Sequence, residues 1–166
     1  MKINLQKIRD IKLLWLPLLI YFGERSYIAQ DEGYYALQAK WILEKSNWLA
    51  PLWWEELNYD RTIAIQWLIA LSQKLFGNSI FTAHIPSIIA SIICLTVTYN
   101  LSKVIIGKRH AWISPLILST TYLWINNSHL ATQDMPLLAV ELIGIYCLIT
   151  SKDSKSKLRL LILGSS

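Results

Sequence analysis

Residues 31–77 read DEGYYALQAKWILEKSNWLAPLWWEELNYDRTIAIQWLIALSQKLFG, and this stretch decides how the rest of the chain is folded. It gathers charge, aromatics and helix signals, whereas the segments around it are mostly apolar. Two parts of it have helical periodicity. Over 34–45, Tyr35, Ala36, Ala39, Ile42 and Leu43 share one face. Gln38, Lys40, Glu44 and Lys45 fall elsewhere, with Lys40 and Glu44 spaced for an i,i+4 ion pair. Over 62–76, Thr62, Gln66 and Gln73 form a polar stripe among apolar residues. Fifteen or so residues make a helix of about 22 Å, short of a bilayer core of about 30 Å. Both segments therefore read as interfacial helices.

The flanking apolar runs read as spans. They cover roughly 11–28, 85–106, 111–130 and 135–150. Pro17 lies inside the first, and Pro86 is expected in the first turn of the second, where a missing N–H costs nothing. The chain is 54% hydrophobic and only 16% charged, against about 25% charged residues in a soluble domain. Fold class follows: an all-α polytopic membrane protein, with about four transmembrane helices and two interfacial helices in its first outer loop. Residues 1–166 form one unit, the N-terminal portion of such a domain, and Leu158–Leu163 reads as the opening of a fifth span. The basic, apolar start reads as an uncleaved anchor, because Tyr27 occupies the position where a cleavage site after Ala29 needs a small residue.

Charge sets the orientation. Lys2, Lys7, Arg9 and Lys12 precede the first span, Lys103, Lys108 and Arg109 separate the second from the third, and Lys152, Lys155, Lys157 and Arg159 follow the fourth. Four crossings put all of them on the cytoplasmic side, as the positive-inside bias requires. The net charge of +5 is thereby topogenic and does not indicate nucleic acid. The loop from Glu24 to about Ala83, and the turn at Asp134, then face the exterior. Cys94 and Cys147 lie in apolar runs with no metal-ligand spacing.

Several acids fall on that outer side. Asp31 and Glu32 open the first interfacial helix; such a pair can accept a proton from a hydroxyl, or simply cap the helix and favour its positive end. Asp60-Arg61 opens the second. Arg61 is suited to bidentate phosphate binding and equally to snorkelling toward headgroups. Asp134 precedes Met135-Pro136, and Glu141, seven residues on, shares its face about 10 Å deeper. An intramembrane carboxylate is a functional candidate by default, with a buried, hydrogen-bonded acid as the alternative. Trp48, Trp53, Trp54 and Tyr59 read first as interfacial anchors. His84 and His129 read as outer-surface helix-end residues.

The run Asp31-Glu32-x-x-Tyr35-Ala36-x-x-Ala39-Lys40-x-Ile42-Leu43, continuing to Asn47-Trp48-Leu49-x-Pro51, resembles the first outer loop of the polyprenyl-phosphate-sugar glycosyltransferases of the GT-C class. That class includes the aminoarabinose transferases acting on lipid A and the protein O-mannosyltransferases. Trp67–Ser72, Lys74–Gly77, Pro86-Ser87 and Asp134-Met135-Pro136 extend the resemblance in order, over about Glu24 to Thr150.

The resemblance implies transfer of a sugar from a polyprenyl (dolichyl or undecaprenyl) phosphate donor to a hydroxyl on lipid, glycan or protein at the outer face of the inner membrane. It implies Asp31 as catalytic carboxylate with Glu32 beside it, and inversion at the anomeric carbon. Asp60, Arg61, Asp134 and Glu141 are the substrate-binding candidates. The chemistry does not require a metal, although Asp60 is able to help hold a divalent ion. The lipid A branch usually has Glu-Lys-Pro-Pro where this chain has Asp60-Arg61-Thr62-Ile63, so acid and base are kept and both prolines are absent. The competing class is a non-catalytic membrane subunit that retains the loop; a transporter-like module has only Glu141 to recommend it.

Overall fold

A computed structural model describes residues 18, 26–28, 31–50, 52–54, 56–57 and 62–151. The candidates Asp60 and Arg61, most of the first expected span and the run from 158 lie outside the described residues. In chain order the elements are α1 (Glu32–Lys45), β1 (Leu52–Trp53), β2 (Glu56–Leu57), α2 (Ala64–Phe76), α3 (Ile80–Ile105), α4 (Ile113–Thr120), α5 (Tyr122–Ser128) and α6 (Asp134–Ser151). The two short strands pair antiparallel, Leu52 opposite Leu57, and form a small hairpin on an otherwise helical architecture.

Helix α1 forms where the sequence expects one, with Glu32 favouring its positive end, and stops at Ser46 in a left-handed conformation. Its apolar face (Tyr35, Ala39 and Ile42) buries against Ile65, Ile69 and Ala70 of α2, with Ala83 and Ala131 completing the cluster. Full burial of such large side chains contributes about 1.5–3 kcal/mol each. The exposed Lys40–Glu44 pair, 3.6 Å apart, adds no more than about 0.5 kcal/mol, so apolar packing holds the two helices together. Gln38 departs from the expected polar face: it is buried, its amide 2.7 Å from that of Gln66 on α2. A buried amide demands such a partner. Helix α2 ends at Gly77, whose φ of 90° suits glycine and whose N–H bonds to the Gln73 carbonyl.

Helix α3 starts five residues earlier than its apolar run suggests. Ser79 and Thr82 exchange side-chain–backbone hydrogen bonds in a capping box. At 26 residues α3 is about 39 Å long. Among the described residues it is the helix whose length and composition suffice to cross a membrane. The early start moves Pro86 from the expected first turn into the helix interior, where the carbonyl of Thr82 loses its usual N–H partner. Ser72 of α2 supplies the replacement, its hydroxyl donating to the Thr82 carbonyl at 2.7 Å. Helix α6 runs beside α3 in the same direction, and Met135 and Ala139 join Leu18, Ile88, Ala90, Cys94, Leu95 and Trp124 in a second apolar core. Much of the outward surface of α2, α3 and α6 is apolar too, including Leu71, Ile89, Val140 and Leu148, as lipid or further helices would require.

The segment expected as one helix over 111–130 is instead two, α4 and α5, joined at Thr121 with ψ of 126°. Ser119, Thr120 and Thr121 stand in a row, and their hydroxyls donate to the carbonyls of Leu116 and Ile117. Such back-bonding competes with the helical ladder and bends it.

The Ser72 hydroxyl occupies a buried site, so Ser72→Ala leaves a buried carbonyl unsatisfied. We expect a loss of about 1–3 kcal/mol in unfolding free energy, read by denaturation in detergent, while an alanine at the exposed Thr96 costs less than about 0.5 kcal/mol.

Candidate active site

Helices α1, α3 and α6 meet at their N-terminal ends, and one carboxylate joins them. Glu32 has no exposed surface. Its Oε2 accepts from the backbone N–H of Ile28 at 2.9 Å. Its Oε1 accepts from the backbone N–H of Ala131 at 2.8 Å and lies 3.0 Å from Nε2 of His84. The other ring nitrogen of His84, Nδ1, is 2.7 Å from the carbonyl of Ile80, which can only accept, so Nδ1 carries a hydrogen. One further proton is then shared between Nε2 and Oε1. The ring of Tyr27 stacks on the imidazole, with centroids 5.8 Å apart and planes 14° from parallel.

This arrangement corrects two sequence expectations. His84 is not an outer-surface residue: it is 1% exposed and is a side-chain partner of Glu32. Glu32 does not stand beside Asp31 as a second acid facing substrate. Asp31 is the residue before α1, with a non-helical backbone, and it faces solvent, while Glu32, the first helical residue, turns into the core. Asp31 is exposed and makes no capping bond to α1, so the capping alternative does not account for it. Its backbone is held firmly, since both Asp31 N–H and Gly33 N–H donate to the Ile28 carbonyl, at 3.2 and 3.0 Å.

Asp134 opens α6 three residues after Ala131, exposed, with Oδ2 accepting from the Thr132 hydroxyl at 3.0 Å. The Glu32–Ala131 bond thus draws the Asp31 turn and the Asp134 turn to the same end of the helices. Glu141, two turns along α6, is exposed and is not the buried hydrogen-bonded acid offered as its alternative. Lys108 and Arg109 lie beyond the opposite end of α3, exposed. They stand at the end of α3 opposite the Asp31 and Asp134 turns.

A cavity of about 530 Å³ opens between the N-terminal ends of α2 and α6, lined by Thr62, Ala64, Ile65, Gln133, Pro136 and Leu137 among others. Asp60-Arg61 immediately precedes Thr62 of its wall in sequence, and Asp134 follows Gln133, another lining residue. A second, apolar groove of about 350 Å³ adjoins it, sharing Leu68, Pro136 and Val140 and continuing past Ile89 and Ile143. Among the described residues no cluster of histidine, cysteine and carboxylates is arranged to hold a metal ion.

The sequence pattern did not mark His84, Gln38 or Gln66 as buried partners. A signal for His84 was present: a histidine two residues before a proline, inside an apolar run, must find a buried partner.

Comparisons with known proteins agree with one another. Residues 60–166 match the family described as dolichyl-phosphate-mannose-protein mannosyltransferase. A protein of Aquifex aeolicus (strain VF5), described only as uncharacterized, is 27% identical over 139 residues, covering 81% of this chain and 28% of that protein. The undecaprenyl phosphate-alpha-4-amino-4-deoxy-L-arabinose arabinosyl transferase of Shewanella sediminis is 26% identical, covering 74% of this chain and 22% of the relative. The transferase of the same name from Pseudomonas savastanoi pv. phaseolicola is 30% identical over 61% of this chain and 19% of its own length. The crystal structure of ArnT from Cupriavidus metallidurans bound to undecaprenyl phosphate superposes with a TM-score of 0.84 over 95% of this chain and 30% of that one, at 15% identity. The chain therefore spans 19% to 30% of the length of these proteins.

The burial of Glu32 sets its weight in the fold. Glu32→Ala strips a partner from His84, Ile28 and Ala131 together and is expected to lower stability by about 3–5 kcal/mol. Asp31→Ala, at an exposed position, is expected to change it by no more than about 0.5 kcal/mol. Denaturation midpoints of the two variants in detergent check the contrast.

Proposed function

The chain belongs to the dolichyl-phosphate-mannose-protein mannosyltransferase family, and from that premise we propose that it forms part of a membrane glycosyltransferase using a polyprenyl-phosphate-linked sugar. The observation that carries the reading is the pair of adjoining cavities: one at the acid-bearing end of the helices, the other an apolar groove running away from it. The first carries two polar groups, Thr62 and Gln133, on a largely apolar wall and the second is almost wholly apolar, a gradient that suits a phosphosugar head on an isoprenoid tail. Support comes from the undecaprenyl phosphate donor named for the transferase relatives and from the undecaprenyl phosphate bound by the structural neighbour.

In this reading Asp31 is the base. It removes the proton from an acceptor hydroxyl as that oxygen forms its bond to the anomeric carbon. The bond from that carbon to the phosphate oxygen breaks, and the lipid phosphate departs as an anion with inversion at the sugar. Arg61 holds the phosphate bidentately, stabilising charge that grows during the step. Asp60 orients Arg61, Asp134 faces the head from α6, and Glu141 lines the approach. The acceptor is a hydroxyl on lipid, glycan or protein. Four crossings place these residues together on the non-cytoplasmic side of the inner membrane, with the N-terminus and the lysine-rich turns inside; α1 and α2 lie at the interface.

Two measurements test this. In membranes containing the protein, turnover of undecaprenyl phosphate-alpha-4-amino-4-deoxy-L-arabinose and of dolichyl-phosphate-mannose is followed by release of free lipid phosphate. Asp31→Asn is expected to reduce turnover of whichever donor is used by about 10²–10⁴-fold with unchanged protein level. Full activity in that variant removes Asp31 from the role. Cysteines at 60 and 134 are expected to react with an impermeant maleimide from the same, outer side; opposite sidedness would refute the four-crossing arrangement.

A further inference from the structure

We propose that His84 is a positioning residue for sugar transfer, fixing through Glu32 where Asp31 stands relative to the Asp134 turn. The inference rests on the reading of Asp31 as base. It starts from cost. Placing a carboxylate and an imidazole in a fully buried site is expensive, and apolar side chains of similar volume usually stabilise a core at least as well. What the polar pair adds over an apolar one is direction: hydrogen bonds fix angles and registers that dispersion contacts leave loose.

Each end of this pair is tied to backbone. Nδ1 to the Ile80 carbonyl fixes the imidazole plane on the first turn of α3. The Tyr27 ring covers one face of it. Nε2 then holds Glu32, whose two oxygens grip the main chain at Ile28 and at Ala131. Asp31 sits inside the turn that the Ile28 bond closes, and Asp134 follows the Ala131 bond by three residues. Through these bonds a rotation of the imidazole ring would shift both turns. Displacements of about 1 Å in such positions can cost a hundredfold in rate.

The test measures kcat and donor KM in membranes for His84→Ala, His84→Gln and Glu32→Gln, beside Asp31→Asn. His84→Ala is expected to lower kcat by about ten- to a hundredfold with donor KM within about twofold. His84→Gln, whose amide N–H can still donate to Glu32, is expected to recover most of that loss, which a purely space-filling role would not predict. Spin labels at the exposed positions 40 and 141 read the geometry independently of activity: their distance distribution is expected to broaden in His84→Ala and narrow again in His84→Gln. Should His84→Ala not accumulate, Glu32→Gln carries the test, because its amide cannot accept at both ends; a kcat equal to that of the unsubstituted protein overturns the proposal. Unchanged kcat in His84→Ala, with Asp31→Asn inactive, also overturns it and leaves the base assignment standing. An active Asp31→Asn removes the base assignment instead, and an unbroadened label distance in His84→Ala then removes the positioning role as well.

Discussion

A single carboxylate, accepting from donors on three separate segments, organises the acid-bearing end of this protein. The Glu32 oxygens reach Ile28, His84 and Ala131, positions that span more than a hundred residues of sequence. An apolar cluster of Tyr35, Ala39, Ile65, Ile69, Ala83 and Ala131 surrounds the junction and keeps water away from it. Each depends on the other. The cluster raises the strength of the hydrogen bonds by lowering the local dielectric, and the bonds make an otherwise intolerable burial of charge acceptable. The exposed acids, Asp31 and Asp134, are placed by this junction without belonging to it.

The helices that carry the site are also shaped by polar details inside apolar surroundings. Helix α3 accommodates an interior proline because Ser72 bonds the carbonyl the proline cannot serve. The segment after it breaks at Thr121 because three adjacent hydroxyls compete with the helical ladder. Both features lie within long hydrophobic runs, and both bend or tie helices that composition alone would draw as straight rods. The larger cavity lies between residues of α2 and α6 near their N-terminal ends.

Much of the architecture was legible in the residue pattern. The spacing of Tyr35, Ala39 and Ile42 identified the buried face of α1, and the run ending in Lys74-Leu75-Phe76-Gly77 placed the end of α2. The lysines and arginines of 103–109 pointed to one end of α3 and the acids to the other. What pattern could not reveal were pairings between distant positions. Gln38 and Gln66, or Glu32 and His84, look like isolated polar residues until the chain is folded, because nothing local distinguishes a buried polar group with a partner from an exposed one. The same holds for Glu32 beside Asp31. Adjacency in sequence suggests a shared role, and the turn that opens α1 sends the two to opposite environments.

The Ser72–Thr82 bond makes α2 and α3 interdependent in assembly. A carbonyl freed by a proline in a long apolar helix needs a donor from outside the regular ladder, and for α3 that donor is Ser72 of α2. The amphipathic segment thereby contributes to the backbone pairing of the spanning one. Any opening motion of α2 that keeps this bond must pivot about its Ser72 end, so that its N-terminal end, where the cavity is walled by Thr62 and Ala64, swings most.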